Sequence, residues 1–521
     1  MLETFNNIYD KRLWSALGDG SGSGSEVSST KGLRQTLTTK VNAVGKRQEL
    51  FTLVDAPCGA CKWIEVWLDE LRNANLPVRY IGFDIAKEPV IKAQQRLRRF
   101  VMFHDVTILQ CDLSNLDSSL VPEKVDVVLC RDLLQHLTYY HASEVLNSLS
   151  YLRANSYMIT TYGGPNSVIE DGGYYNVNLE LAPFNMKVKD VTVEDINGED
   201  YFQQTNYKRI SWCDSADLLA ASNHVKKIPH IVHHIWLSKT SDRSPPTQYV
   251  DFIQSFQEHN PDYEMRLWCN GEIEEIWNHS ALKKFQHLVS KLSIIEKCDA
   301  TRYAIMFLIG GIYVDLNTEC VRSLDPIISS RSLVLVKEPI EHYTLNDIYD
   351  DMLSNSFLAS CPTHPFWLKI LDHLNDFYID SISAPKKQSL VQIQTGPTAF
   401  WKYANAFLKP SELGDALEST CKLQPLAYNK MVTKNCEFGS EVVCIKHWWS
   451  SSNWGLAPPK SAALMANSLP FRFTKTTTMD VQEIQKNKGK NGNMIFVFLL
   501  FFVIIVCSII LIVKLILHGV L

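Results

Sequence analysis

The sequence predicts an α/β protein: two successive α/β domains followed by a C-terminal transmembrane helix. Three observations predict it. In the N-terminal part, apolar runs that end in an acid (Phe51–Asp55, Tyr80–Asp84, Val106–Asp112, Val125–Asp132) alternate with helical stretches such as Lys87–Phe100, the pattern of a doubly wound parallel sheet. A second series of buried-type strands begins near Ile228. Met494–Val513 carries no charge, is apolar but for Cys507 and Ser508, and reaches the length of about 20 residues that spans a bilayer. The expected boundaries are 1–220 and 221–465 for the two domains, 466–492 for a polar, Lys-rich tether and 493–517 for the membrane helix.

Composition narrows the class. At 521 residues the chain can hold two ordinary domains plus extras, and 46% hydrophobic with 21% charged residues is globular. A net charge of −5 offers no bulk attraction to nucleic acid, so no nucleic-acid partner is expected. The 13 cysteines are scattered, and the sole CxxC, Cys58–Cys61, has no second pair to complete a zinc site; reduced thiols are expected. Met1–Asp10 is polar and lacks a signal-peptide pattern. Lys486, Lys488 and Lys490 precede the apolar run while only Lys514 and His518 follow it, so the positive-inside rule places both domains in the cytosol, on a single-pass C-terminal anchor.

In the first domain, ligands of a doubly wound sheet sit at the carboxyl ends of the strands. Asp84, ending the second strand, suits the two hydroxyls of a nucleoside ribose. Gly59, in the turn after the first strand, permits close backbone approach, and Asp112, ending the third, can accept from an adenine amino group. Asp132 and His136, just past the fourth strand, are candidates for the base that takes a proton from an acceptor; the plainer roles are helix capping for Asp132 and packing for His136. These features, with Trp14, Ser21–Ser25, Asp55–Gly59, Tyr80–Ile85, Cys130–Leu137 and Asn178–Asn185, resemble a class I S-adenosylmethionine-dependent methyltransferase of Rossmann-like fold. The resemblance covers roughly the first 210 residues. It implies S-adenosylmethionine bound at Asp55, Gly59, Asp84 and Asp112, and it makes the Gly-Ser run a loop of the site. Ala60 departs from the family's usual Asp, and the G-x-G-x-G turn is reduced to Gly59.

Ser211–Val225 reads as the join. The second domain opens with the strand around Ile231–Trp236, in which the adjacent His233 and His234 point to opposite faces and cannot chelate one ion together. Its centre is Lys291–Cys320. A helix there carries Asp299, Arg302 and Tyr303, with acid and base on one face at i and i+3. Gly310-Gly311 ends the helix, and a strand over Ile312–Asn317 places Asp315 and Asn317 on one side, where two oxygen ligands can hold a hard cation against a diphosphate. The order D-x-x-R-Y, G-G-x-Y-x-D resembles the DXD glycosyltransferases that include yeast initiating mannosyltransferases and inositol-phosphoceramide mannosyltransferases (glycosyltransferase family 32), of GT-A fold. Asn355–Ser360, Thr395-Gly396-Pro397 and His447–Trp454 resemble further segments of that family in the right order. The fusion of two sugar-modifying domains resembles those of large DNA viruses.

That resemblance implies a retaining, metal-dependent hexosyl transfer from a GDP- or UDP-sugar with Mn²⁺ or Mg²⁺. Trp236 and Trp454 would lie at the nucleotide, Asp299 at the sugar hydroxyls, Arg302 at the leaving diphosphate and Tyr303 and Tyr313 beside the donor. Asp315, Asn317 and His447 would hold the metal. Asn317 stands where the family has its second Asp, and a neutral amide is a poorer ligand for a hard cation. The expectation is a membrane-anchored enzyme that both glycosylates and methylates a glycan, lipid or protein acceptor. The alternatives are a methyltransferase carrying a non-catalytic glycan-binding module, and a membrane scaffold with two inactive domains.

Overall fold

The computed structural model describes residues 1–14, 27–188, 190–193, 208–238, 245–337, 352–381, 395–408, 419–423, 433–438 and 445–447. Ser21–Ser25, Trp454 and the 494–513 run lie outside these residues, and among the described residues no helix is long and apolar enough to cross a membrane.

Seven strands form the first sheet: β1 (Phe51–Asp55), β2 (Val78–Asp84), β3 (Asp105–Gln110), β4 (Val127–Cys130), β5 (Ser156–Tyr162), β6 (Asp190–Val193) and β7 (Lys208–Cys213). Their order is β3-β2-β1-β4-β5-β7-β6, parallel from β3 to β5, with β7 antiparallel to β5 and β6 antiparallel to β7. The chain winds outward in one direction from β1 to β3 and in the other from β4, so the switch point lies between β1 and β4, where sheets of this kind bind ligands at the strands' carboxyl ends. All five residues of β1 are buried, as expected for a central strand covered on both faces. One face packs around Val54, Val128 and Leu146, the other around Leu53, Trp67 and Leu129. The helix Lys62–Asn73 buries Trp63, Ile64, Trp67, Leu68 and Leu71, a 3.6-residue spacing that makes one apolar stripe.

The segment read as the join is structured. β7 completes the first sheet, and the helix Ser215–Val225, opened by an Asp214/Asp217 capping box, buries Leu218, Ala221 and Val225 in the core that also holds Leu146. Its apolar spacing ties it to the sheet before it.

The second sheet runs β12-β13-β10-β8-β9, from β8 (Ile231–Ile235), β9 (Glu264–Trp268), β10 (Gly311–Val314), β12 (Leu333–Lys337) and β13 (Leu353–Ser360). β8 is parallel to both β9 and β10, while β13 is antiparallel to β10 and β12. The chain leaves β8 for β9 on one side and returns to β10 on the other, which sets a second switch point at β8. A third sheet, β11-β16-β15-β14, pairs β11 (Thr318–Cys320) with β16 (Ile445–His447), and joins β14 (Ser419–Leu423) and β15 (Thr433–Phe438).

The expected strand over Ile312–Asn317 is shorter. β10 ends at Val314; Leu316 and Asn317 form a turn closed by a hydrogen bond from the Thr318 N–H to the Asp315 carbonyl at 3.1 Å. Asn317 therefore follows Asp315 around a turn rather than along one strand face. Gly310 and Gly311 have φ of +69° and +92°. A Cβ on Gly310 would lie 2.6 Å from the Ser360 carbonyl oxygen, and one on Gly311 2.7 Å from that of Ile231, so both positions demand glycine. His233 and His234 face opposite ways. His233 donates from Nε2 to the Gly310 carbonyl at 2.8 Å and accepts from the Trp268 indole at 3.0 Å, whereas His234 packs edge-on against Phe256.

Candidate active sites

The first site lies at the β1/β4 switch point. Asp55 is buried and accepts from the Tyr80 hydroxyl at 2.8 Å; burial pushes its carboxyl up to about 7, against the pull of Tyr80 and Arg131. Asp84 accepts from the Gly59 N–H at 3.0 Å and the Ala86 N–H at 2.9 Å, and burial pushes it to about 6 against those two bonds. The strand end and the glycine turn are thus brought together. Gly59 has φ +54°, and a Cβ there would meet nothing within 4 Å, which leaves open space above the turn. Asp112 lies two residues past the end of β3, and its carboxylate accepts from the Ser114 N–H and hydroxyl, capping a short 3₁₀ turn.

Asp132 does not cap a helix. It sits at φ +60° and pairs with Lys208 at 2.7 Å and Arg131 at 3.3 Å, while Gln135 donates to it at 3.1 Å. Burial alone would raise its pKa, but Arg131 and Lys208 outweigh burial and hold it below the usual carboxylate range. His136 differs. Its Nδ1 lies 2.7 Å from the Gly173 carbonyl, which can only accept, so Nδ1 carries the proton and Nε2 is left as the basic nitrogen. Burial lowers its pKa against the pull of that carbonyl, which favours the neutral ring. It stacks on Trp14 at 4.3 Å between centroids. Sequence reasoning missed Lys208 and the Asp171–Gly173 loop, because each meets its partner across a long stretch of chain with no local pattern.

The second site lies at the carboxyl ends of β8 and β10. The helix Ile294–Leu308, started by a Ser293/Glu296 capping box, presents Asp299 and Arg302. Arg302 donates to Asp299 at 2.8 Å from one nitrogen, and from another to Asp315 at 3.2 Å and the Asn355 carbonyl at 2.6 Å. The Tyr313 hydroxyl donates to Asp315 at 2.7 Å, and the Arg302 guanidinium lies over the Tyr313 ring at 4.6 Å. Asp299 also accepts from Asn355 Nδ2 at 3.2 Å and from the Thr395 hydroxyl at 2.8 Å. Burial raises the Asp299 pKa against Arg302 and Thr395. Burial also works against the charge of Arg302, but Tyr313, Asp315 and Asp299 outweigh it and keep the guanidinium protonated.

Tyr303 is fully buried; its hydroxyl donates to the Thr395 carbonyl at 3.3 Å and accepts from Asn355 at 3.2 Å, so it braces the network from behind. Asn355 and Thr395 belong to segments singled out in the sequence, but their convergence on Asp299 was not legible there. Trp236 is half-buried at the end of β8, 6.3 Å from the Tyr249 ring, and its indole N–H has no partner among the described residues. The backbone of His447 pairs with Thr318, one residue past Asn317. Among the described residues no three His, Cys, Asp or Glu side chains converge as a metal cage. Asp315, its side chain 30% exposed, and the half-buried Asn317 offer hard oxygen donors on one turn, a set that fits a divalent cation completed by ligand oxygens.

Residues 49–211 match the family described as "Methyltransferase domain", and residues 246–334 match "Glycosyltransferase sugar-binding region containing DXD motif". The chain carries a methyltransferase domain and a DXD glycosyltransferase region. The inositol phosphoceramide mannosyltransferase 1 of Schizosaccharomyces pombe is 28% identical over 172 residues, 32% of this chain and 49% of that protein. The uncharacterized glycosyltransferase L373 of Acanthamoeba polyphaga mimivirus is 24% identical over 229 residues, 44% of this chain and 84% of that protein. The chain thus spans about half the length of the fungal relative. A solved magnesium protoporphyrin IX methyltransferase from Synechocystis PCC 6803 with bound SAM aligns over 40% of this chain and 92% of its own at 20% identity, with a TM-score of 0.27, too low to add to the match in sequence.

Proposed function

We propose that the chain is a membrane-anchored enzyme with two transferase sites. A GT-A-type site would move a hexose, mannose by analogy with the fungal relatives, from a GDP- or UDP-sugar to a glycan, lipid or protein acceptor with retention. The other would methylate an acceptor with S-adenosylmethionine, in the simplest arrangement the same glycan. The observation that carries the first reading is Arg302 bridging Asp299 and Asp315 at the carboxyl edge of the sheet. It fixes a buried cation beside the partly exposed Asp315 carboxylate, where charge would build on a departing diphosphate. The Nε of Arg302 has no partner among the described residues, a buried donor suited to an anionic ligand. Asp299, held by three neighbours, is set to orient the donor sugar. Asp315 and Asn317 would hold Mn²⁺ or Mg²⁺, alongside the His447 segment; the ion, when bound, would neutralise the diphosphate.

At the other site Asp55 and Asp84 form a buried anionic floor bonded to neutral donors, which suits a sulfonium cofactor. His136 Nε2 would take the proton from the acceptor. The membrane reading rests on the uncharged run 494–513 and the three lysines ahead of it.

The test incubates the full chain with a panel of nucleotide-sugars and Mn²⁺ and measures nucleoside diphosphate. One donor is expected to be hydrolysed, and Asp315→Ala to abolish that hydrolysis. No hydrolysis of any donor by the wild type would replace this reading with a methyltransferase carrying a glycan-binding module.

A further inference from the structure

The helix Tyr139–Ser150 begins three positions after His136 and, like any helix, leaves the N–H groups of its first turn in need of acceptors. Two are found within the same half. Asp171 accepts from the Thr138 N–H at 2.8 Å, and the Thr138 hydroxyl accepts from the His141 N–H at 3.3 Å. The third comes from the other half. The Tyr140 N–H donates to the hydroxyl of Thr363 at 2.9 Å, across 223 residues of sequence. Thr363 belongs to the sugar-transfer half: it follows β13, the strand that carries Asn355, and its own N–H donates to the Phe307 carbonyl at 2.7 Å. It is fully buried, and the neighbouring His364 ring packs edge-on to Tyr140 at 4.7 Å.

A second, independent observation singles out the same residue. Thr363 has φ +57°, in the left-handed region that β-branched side chains avoid. A position with no use for the hydroxyl would suit glycine or asparagine. Strained backbone persists where surrounding contacts over-determine it, and here the hydroxyl makes the cross-domain bond. The contact is not isolated. Lys284 of the sugar-transfer half pairs with Glu170 at 2.9 Å, in the loop whose Gly173 carbonyl holds His136. Val168 of the same loop packs against the apolar cores of both halves.

We propose that Thr363 is a positioning residue for the methyl-transfer site: the sugar-transfer half supplies the cap that fixes the start of the Tyr139–Ser150 helix, and with it His136 and the Asp171–Gly173 loop. The role in methyl transfer rests on the reading of His136 above; the capping itself does not.

Hydrogen exchange read by mass spectrometry on the full chain tests it. Thr363→Val keeps the shape and removes the hydroxyl, and should speed exchange at the 138–142 amides about ten-fold, the size of a lost helix cap. Thr363→Ser should restore the wild-type rate. Thr363→Gly removes the hydroxyl and relieves the left-handed strain, so it should speed exchange at 138–142 while slowing or leaving unchanged exchange at β13; it decides the matter if the valine variant misfolds. Wild-type exchange at 138–142 in the glycine variant, or a serine variant as fast as the valine one, overturns the proposal. Calorimetric titration with S-adenosylmethionine runs in parallel. A wild type that does not bind it removes the methyl-transfer reading and leaves the exchange data to judge the cap, whereas binding with unchanged exchange removes the positioning role alone.

Discussion

The two sites give their buried carboxylates different partners. In the sugar-transfer half, Arg302 lies between Asp299 and Asp315, and Asn355, Thr395 and Tyr313 donate to them as well, so both carboxylates are partnered before any ligand arrives. In the methyltransferase half, Asp55 and Asp84 are as buried as Asp299, and burial raises the pKa of all three, but the bonds of Asp55 and Asp84 are to a tyrosine hydroxyl and backbone amides rather than to a guanidinium. A balanced network holds a shape. A buried anionic floor without a directly bonded cation favours a ligand that brings positive charge. Arg131, paired with Asp132, pulls the Asp55 pKa down from a distance, but burial outweighs that pull.

Breaking the balanced network should have the largest effect. Arg302→Met leaves Asp299 and Asp315 without their shared partner, and removal of one member of a buried pair costs about 3–5 kcal/mol. Nucleotide-sugar hydrolysis should vanish and the sugar-transfer half should unfold earlier in a thermal melt; a variant with wild-type hydrolysis would show that the bridge is ornamental. The glycines sharpen the contrast. Gly311→Ala places a Cβ 2.7 Å from a backbone oxygen at φ +92°, whereas Gly59→Ala meets open space. The first should destabilise by several kcal/mol, as overpacking plus strain does, and the second by about 1 kcal/mol while weakening S-adenosylmethionine binding. Equal melting losses would contradict the open turn.

Asp84→Ala should weaken S-adenosylmethionine binding by about 1.5–3 kcal/mol, the worth of a hydrogen bond to a charged group, measured by calorimetry. The smallest effect is set by pH. Asp84 titrates near 6 in the folded chain, so at pH 5 about nine-tenths of it is protonated, and affinity for the sulfonium cofactor should fall about ten-fold from its value at pH 8. Stability runs the other way. Raised carboxylate pKa values in the folded state contribute stability that is full at low pH and is lost as pH rises through about 6 to 7. Affinity that stays flat between pH 5 and 8 would remove Asp84 from the site.

Much of this was legible in the sequence because it is written in local periodicity. The apolar runs ending in acids gave four of the seven strands of the first sheet, β1 to β4, to within a few residues, since parallel strands buried on both faces, as β1, β2 and β4 are, must be continuously apolar. Asp299 and Arg302 meet because a helix brings i and i+3 together, and Gly310-Gly311 marked a turn because no other residue fits there. Local pattern misled at Ile312–Asn317, where the strand stops at Val314 and Asn317 lies in a turn.

Only the tertiary structure decided which distant groups complete each site. Asn355 and Thr395 close on Asp299 from another strand and another turn, Lys208 returns on β7 to neutralise Asp132, and Thr363 caps a helix in the other half of the molecule. Sequence determines the periodicity of each element, because backbone geometry repeats over a few residues. Which polar group meets which across tens or hundreds of residues depends on sheet order and on the packing of elements against one another, and that information is carried by the folded core rather than by any one stretch of chain.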